Sequence, residues 1–115
     1  MKTEALAREV ISRLTDEGRT LSTAESCTGG LLGKLLTDIP GASNAYKGGV
    51  ISYVNEVKHR VLGVEQETLD VCTAVSRETA HEMAKGTRSL LKADVGVSTT
   101  GLAGPDGDGD RKSVV

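Results

Sequence analysis

The sequence predicts an α/β layer fold, and three observations carry that expectation. Stretches with apolar residues at helical spacing alternate with short β-like runs, in the order helix, strand, helix, strand, helix, helix, strand. Glycine or proline punctuates the junctions. The chain has 115 residues, which suits one domain, and it shows neither an internal repeat nor a linker.

The elements follow from local pattern. Leu6, Val10 and Leu14 fall four apart, with Ala7 and Ile11 beside them and Gly18 after them, as in an amphipathic helix with a glycine stop. Residues 20–25, TLSTAE, alternate weakly and read as a strand. Residues 29–41, GGLLGKLLTDIPG, repeat leucine at helical spacing up to Pro40 and Gly41. Residues 48–54, GGVISYV, read as a short buried strand. Asn55 is then expected to cap a helix, with Glu56 in its first turn and Gly63 past its end. Ser76 is a second capping position, followed by a stripe of Ala80, Met83, Ala84, Thr87 and Leu91. DVGVSTT, residues 94–100, is a strand. GLAGPDGDGD, residues 101–110, is a loop, and residues 104–112, rich in Gly and Asp, are expected to be mobile. Val114 and Val115 read as the first residues of a further strand.

Composition narrows the function. With two tyrosines and no Phe or Trp, the core must be built from Val, Leu, Ile and Ala. Fourteen Lys and Arg against sixteen Asp and Glu give a net charge of −2, without the basic face of a nucleic-acid binder. Cys27 and Cys72 are far apart and form no CxxC, so reduced thiols are expected. The charged N-terminus lacks the apolar region of a signal peptide, and no apolar run reaches membrane-spanning length. The expected setting is cytoplasmic.

The stretch TAESCTGG, residues 23–30, places Ser26 at a strand-to-helix turn. A side chain there is presented to solvent beside free helix N–H groups, which suit an oxyanion or a phosphate. The plainer reading is that Ser26 or Thr28 merely caps the helix. In YVNEVK, Tyr53 falls at a strand end and Lys58 within the following helix. A serine needs a base, and a lysine serves if desolvation lowers its pKa. Taken alone, Lys58 reads as a solvated helix residue and Tyr53 as half-buried packing. SLLK, residues 89–92, matches S-x-x-K without its companion motifs, and DGDGD, residues 106–110, lacks the acidic twelfth position of a calcium loop. His59 and His81 stand isolated, so neither a metal nor another cofactor is expected.

Taken together, TAESCTGG, GGVISYVNEVK and STTGLAGPDG resemble the CinA C-terminal domain family, which includes the nicotinamide mononucleotide amidohydrolases (PncC). The likeness runs from the first helix to about Gly107. It implies a three-layer α/β/α fold with a mixed central sheet, here truncated at its C-terminal part. It also implies a single amidohydrolase domain over residues 1–115 that deamidates nicotinamide mononucleotide without a metal. On that resemblance Ser26 is the nucleophile, and Tyr53 and Lys58 complete a Ser-Tyr-Lys arrangement. Cys27, Thr28, Gly29, Gly30, Asn55, Thr100, Gly101, Ala103 and Gly104 line the substrate. The phosphate is expected at the Gly29–Gly30 helix start or at the loop from Gly101 to Gly104. A nucleotide substrate and a second copy of the chain are the expected partners. A non-catalytic nucleotide-binding module and an inactive fragment are the alternatives.

Overall fold

The computed structural model of the chain describes residues 2–101 and 113–115. In order, the elements are α1 (Lys2–Glu17), β1 (Leu21–Glu25), α2 (Leu31–Thr37), a 3₁₀ turn (Ala42–Asn44) and β2 (Tyr46–Ile51). Then come α3 (Asn55–Arg60), α4 (Gln66–Cys72), α5 (Arg77–Leu91), β3 (Val95–Ser98), β4 (Thr100–Gly101) and β5 (Ser113–Val114).

β1 lies at the centre of a three-stranded sheet in the order β2-β1-β3, and both pairings are parallel. Parallel neighbours require crossovers, and helices supply them on the two faces. On one face α1, α2 and the 3₁₀ turn bury Ala7, Ile11, Leu36, Ile39, Ala42 and Ala45 against Leu21. On the other, Leu62, Val64, Leu69 and Met83 pack on Ala24. All five residues of β1 are buried, as a strand covered on both faces must be. The result is a three-layer α/β/α fold. The antiparallel β4–β5 pair, in which Thr100 opposes Val114, forms a separate two-stranded sheet.

Several local expectations are corrected. Leu6 and Val10 are 62% and 41% exposed, and α1 docks instead through Ala7, Ile11 and the half-buried Leu14. Both stripes have helical spacing, so periodicity alone does not choose between them. Asn55 is the first residue of α3 rather than its cap; Val54 precedes the helix in an extended conformation and offers no side-chain acceptor. The helix α4 has no counterpart in the expected order, because its one buried residue, Leu69, gives no period to read. β2 starts at Tyr46 and ends at Ile51, leaving Tyr53 beyond the strand. The Ser76 cap is as expected, its Oγ accepting from the Thr79 N–H at 3.1 Å. The expected mobility of residues 104–112, and the site positions Ala103 and Gly104, lie outside the described residues.

Candidate active site

The three motifs meet because β1, β2 and β3 run in the same direction, so their carboxyl ends lie side by side. That end of an open α/β sheet is where such folds bind ligands. Backbone bonds stitch the three exits together. The Ser52 N–H donates to the Glu25 carbonyl at 2.7 Å, and the Thr99 N–H donates to the Ala24 carbonyl at 2.9 Å.

Ser26 follows β1 directly. It is 5% exposed, so the residue as a whole is buried rather than openly presented to solvent. The chain leaves β1 through a tight turn in which Gly29 and Gly30 have φ of 65° and 109°, values that favour glycine. The Gly29 N–H closes the turn onto the Ser26 carbonyl at 3.2 Å. The N–H groups of Cys27 and Thr28 have no hydrogen-bond partner among the described residues.

Neither Ser26 nor Thr28 caps α2. Glu25 does, a role that the sequence reading missed. Its carboxylate accepts the Leu32 N–H at 2.6 Å and the Gly33 N–H at 2.9 Å. It also accepts the Thr28 hydroxyl at 2.7 Å. The sole hint in the sequence is a charged residue closing a strand that is otherwise buried. With those N–H groups occupied, the start of α2 is a poor seat for a substrate phosphate.

Lys58 is 2% exposed, not the solvated residue that a helical lysine usually is. Its Nζ donates to the carbonyls of Ser52 at 2.9 Å and Tyr53 at 3.2 Å. Burial pushes its pKa down from the ordinary lysine range, and the neighbouring Cys27 pulls it partly back. The amine is therefore one strand exit from Ser26, bonded to the residue whose N–H donates to the Glu25 carbonyl. Among the described residues it makes no hydrogen bond to Ser26. Tyr53 is 74% exposed, so its ring is not the half-buried packing residue it could have been.

The binding positions separate by role. Thr28 is exposed and its hydroxyl also lies 3.3 Å from that of Thr99, which ties the first motif to the third. Thr100 is buried and donates to the Ala74 carbonyl at 2.8 Å, a tie within the fold. Asn55 is exposed, and Cys27, Gly30 and Gly101 are half-buried. Cys27 and Cys72 are both free thiols. Among the described residues, no helix is long and apolar enough to cross a membrane.

This arrangement coincides with a known domain: the model of the CinA C-terminal domain matches residues 3–114. The chain belongs to the CinA C-terminal domain family. Among its relatives, a putative competence-damage inducible protein of Caldanaerobacter subterraneus subsp. tengcongensis is 55% identical over 111 residues. A CinA-like protein of Shewanella pealeana is 50% identical over 111 residues. These alignments take in 96% of this chain but only 27% and 26% of the relatives, so the chain spans about a quarter of their length. Among solved structures, the competence/damage inducible protein CihA from Agrobacterium tumefaciens superposes with a TM-score of 0.87 at 44% identity. That match covers 93% of this chain and 65% of the other. A CinA superfamily protein from Enterobacter cloacae gives 0.89 at 42% identity, covering 94% and 64%.

Proposed function

We propose that this domain is a serine amidohydrolase that deamidates nicotinamide mononucleotide to nicotinate mononucleotide and ammonia, in pyridine nucleotide recycling. The observation that carries the reading is the buried Lys58 amine, depressed in pKa, bonded to the carbonyl of Ser52, whose N–H donates to Glu25 at the end of the strand before Ser26. A neutral lysine is a competent base for a serine that has no histidine beside it.

In this reading Lys58, directly or through Tyr53, takes the Ser26 hydroxyl proton as Oγ attacks the carboxamide carbon. The N–H groups of Cys27 and Thr28 stabilise the oxyanion. The C–N bond breaks, the proton passes to nitrogen, and ammonia leaves. Water then attacks the acyl ester, returning a proton to Oγ and releasing the carboxylate. No metal or other cofactor is required by these steps. The phosphate goes to the loop that begins at Gly101, since Glu25 already occupies the start of α2.

One observation favours a second reading, a nucleotide-binding module without turnover. The Lys58 amine is engaged by two carbonyls, and the Tyr53 ring stands in solvent. Ammonia release from nicotinamide mononucleotide, compared with Ser26→Ala, decides between them. Turnover lost in the variant supports the enzyme. Calorimetric binding without any ammonia release supports the module.

A further inference from the structure

We infer that Glu25 is a positioning residue, whose buried carboxylate holds the turn that aims Ser26 and its oxyanion donors. The inference rests on the reading of Ser26 as the nucleophile. Glu25 is 3% exposed, and both its carboxylate oxygens act as acceptors. Oε1 takes the Thr28 hydroxyl and the Leu32 N–H, while Oε2 takes the Gly33 N–H. The five-residue turn from Ser26 to Gly30 is thus closed at both ends by one side chain. Its root is the residue before Ser26, and its grip is on the first turn of α2 and on Thr28 within the loop.

The carboxylate is closely packed against α2. A Cβ at Gly33 would stand 3.3 Å from Glu25 Oε2 and 3.0 Å from the Tyr46 hydroxyl. That hydroxyl lies 2.6 Å from Thr23 Oγ1, so the floor beneath α2 is fixed by a second hydrogen bond. The two glycines at positive φ leave the turn little intrinsic preference of its own, which makes an external clamp necessary. Charge-assisted bonds of a buried carboxylate are strong enough to supply it. Small displacements of a nucleophile or an oxyanion donor carry large rate penalties.

Glu25→Gln keeps the shape but turns an amide NH₂ toward an N–H donor, so one of the three bonds is lost and its donors face each other. Thr28→Val removes the hydroxyl's bond to Glu25 together with its 3.3 Å contact to Thr99, at an exposed position, and Thr99→Val removes the second contact alone. The measurements are kcat and KM for nicotinamide mononucleotide and the rate at which a fluorophosphonate labels Ser26, each on protein shown to be folded by its melt. Glu25→Gln is expected to lower both kcat and labelling by about 10²-fold with KM within about threefold. Thr28→Val is expected to lower both by about tenfold. If Glu25→Gln does not fold, Thr28→Val compared with Thr99→Val decides: a loss in the first that the second does not share belongs to the Glu25 bond, and an equal loss in both overturns the inference. Labelling and kcat within twofold of the parent in a folded variant would overturn the inference, as would a fall confined to KM. A parent labelled at Ser26 yet inactive on this nucleotide would refute the substrate and leave the labelling comparison to judge Glu25. A parent not labelled at Ser26 would refute both.

Discussion

Lys58 and Ser52 are joined across the start of α3: the Lys58 amine donates to the Ser52 carbonyl at 2.9 Å. The Ser52 N–H in turn donates to the Glu25 carbonyl, so the amine is registered against the β1 exit through the sheet's own hydrogen bonds. A buried amine held in this way has its position set by the backbone, and its protonation answers to burial.

Lys58→Arg should therefore lose at least about 10²-fold in deamidation, because guanidinium stays charged and cannot accept the proton. In the parent, the rising limb of kcat/KM against pH should fall below the ordinary lysine range. The linkage sign is definite. The folded pKa lies below the unfolded one, so between the two the unfolded chain binds more protons and stability rises with pH. Relative to Lys58→Met, the parent should gain stability as pH climbs toward the unfolded lysine value. Denaturant titrations at several pH values check this, and an unchanged difference would contradict it.

Ser26→Ala removes one hydroxyl from a buried position and nothing else. Ammonia release should fall by about 10³-fold or more, as for loss of a nucleophile, while stability changes by about 1 kcal/mol or less. Near-normal turnover by a well-folded variant would eliminate Ser26 as the nucleophile.

Gly86 lies inside α5, where helix propensity alone favours alanine by about 1 kcal/mol. The structure reverses that preference. A Cβ there would fall 1.9 Å from the Leu62 carbonyl oxygen, which belongs to backbone and cannot swing aside. Gly86→Ala should cost about 1–3 kcal/mol of stability in thermal or denaturant melts. A more stable variant would show that α5 can move away from the α3–α4 connection at no penalty.

How far the sequence reached can be judged from particular residues. The layer order and the Ser76 cap were legible because glycine breaks, β-branched runs and a serine just ahead of an apolar helical stripe are local signals. Ser26, Tyr53 and Lys58 were legible as motif members, and the need of a lysine base for desolvation anticipated a buried Lys58 with a lowered pKa, whereas the exposure of Tyr53 and the burial of Ser26 were not legible. Burial of Lys58 depends on α3 folding back over the β2 exit, and no property of the VNEVK stretch encodes that contact. The Glu25 clamp was invisible for a related reason. It is a cap supplied from the strand before the helix, seven residues upstream of the N–H it satisfies. The α1 stripe was misread because two apolar rows share one helix, and only the docking partner selects Ala7 and Ile11.

At the opposite end of the sheet, Asp94 and Thr20 clasp the amino ends of β3 and β1. The Asp94 carboxylate accepts the Thr20 N–H at 2.8 Å and its hydroxyl at 3.2 Å. The Thr20 backbone bond, then the hydroxyl, hold the Asp94 pKa below the usual aspartate value. A depressed folded pKa gives stability that is present above the unfolded value and lost as pH falls through the folded one. Asp94→Asn should be less stable than the parent near pH 7, with the gap closing in acid. Melts from neutral to acidic pH check this; a constant gap would mean that the clasp does not titrate.

Association is the final expectation, and it follows from an edge. Among the described residues β3 pairs only with β1, and no described strand covers its outer edge. Between that edge and α5 runs a cleft of about 610 Å³, lined in part by Ala80, His81, Ala84, Val97 and Val115. Val115 is 82% exposed, and Leu6 and Val10 leave a further apolar row on α1. Unprotected strand edges recruit strands, and apolar clefts beside them reward the contact with buried area. The 115-residue chain should therefore self-associate in solution rather than persist as a monomer. Light scattering at two concentrations about tenfold apart reads the mass directly, since association through this edge obeys mass action. A mass above that of one chain, falling on dilution, is the expected result. A compact monomer at both concentrations, with a sharp cooperative melt, would show that these residues close their own core and that the β3 edge is protected within the single chain.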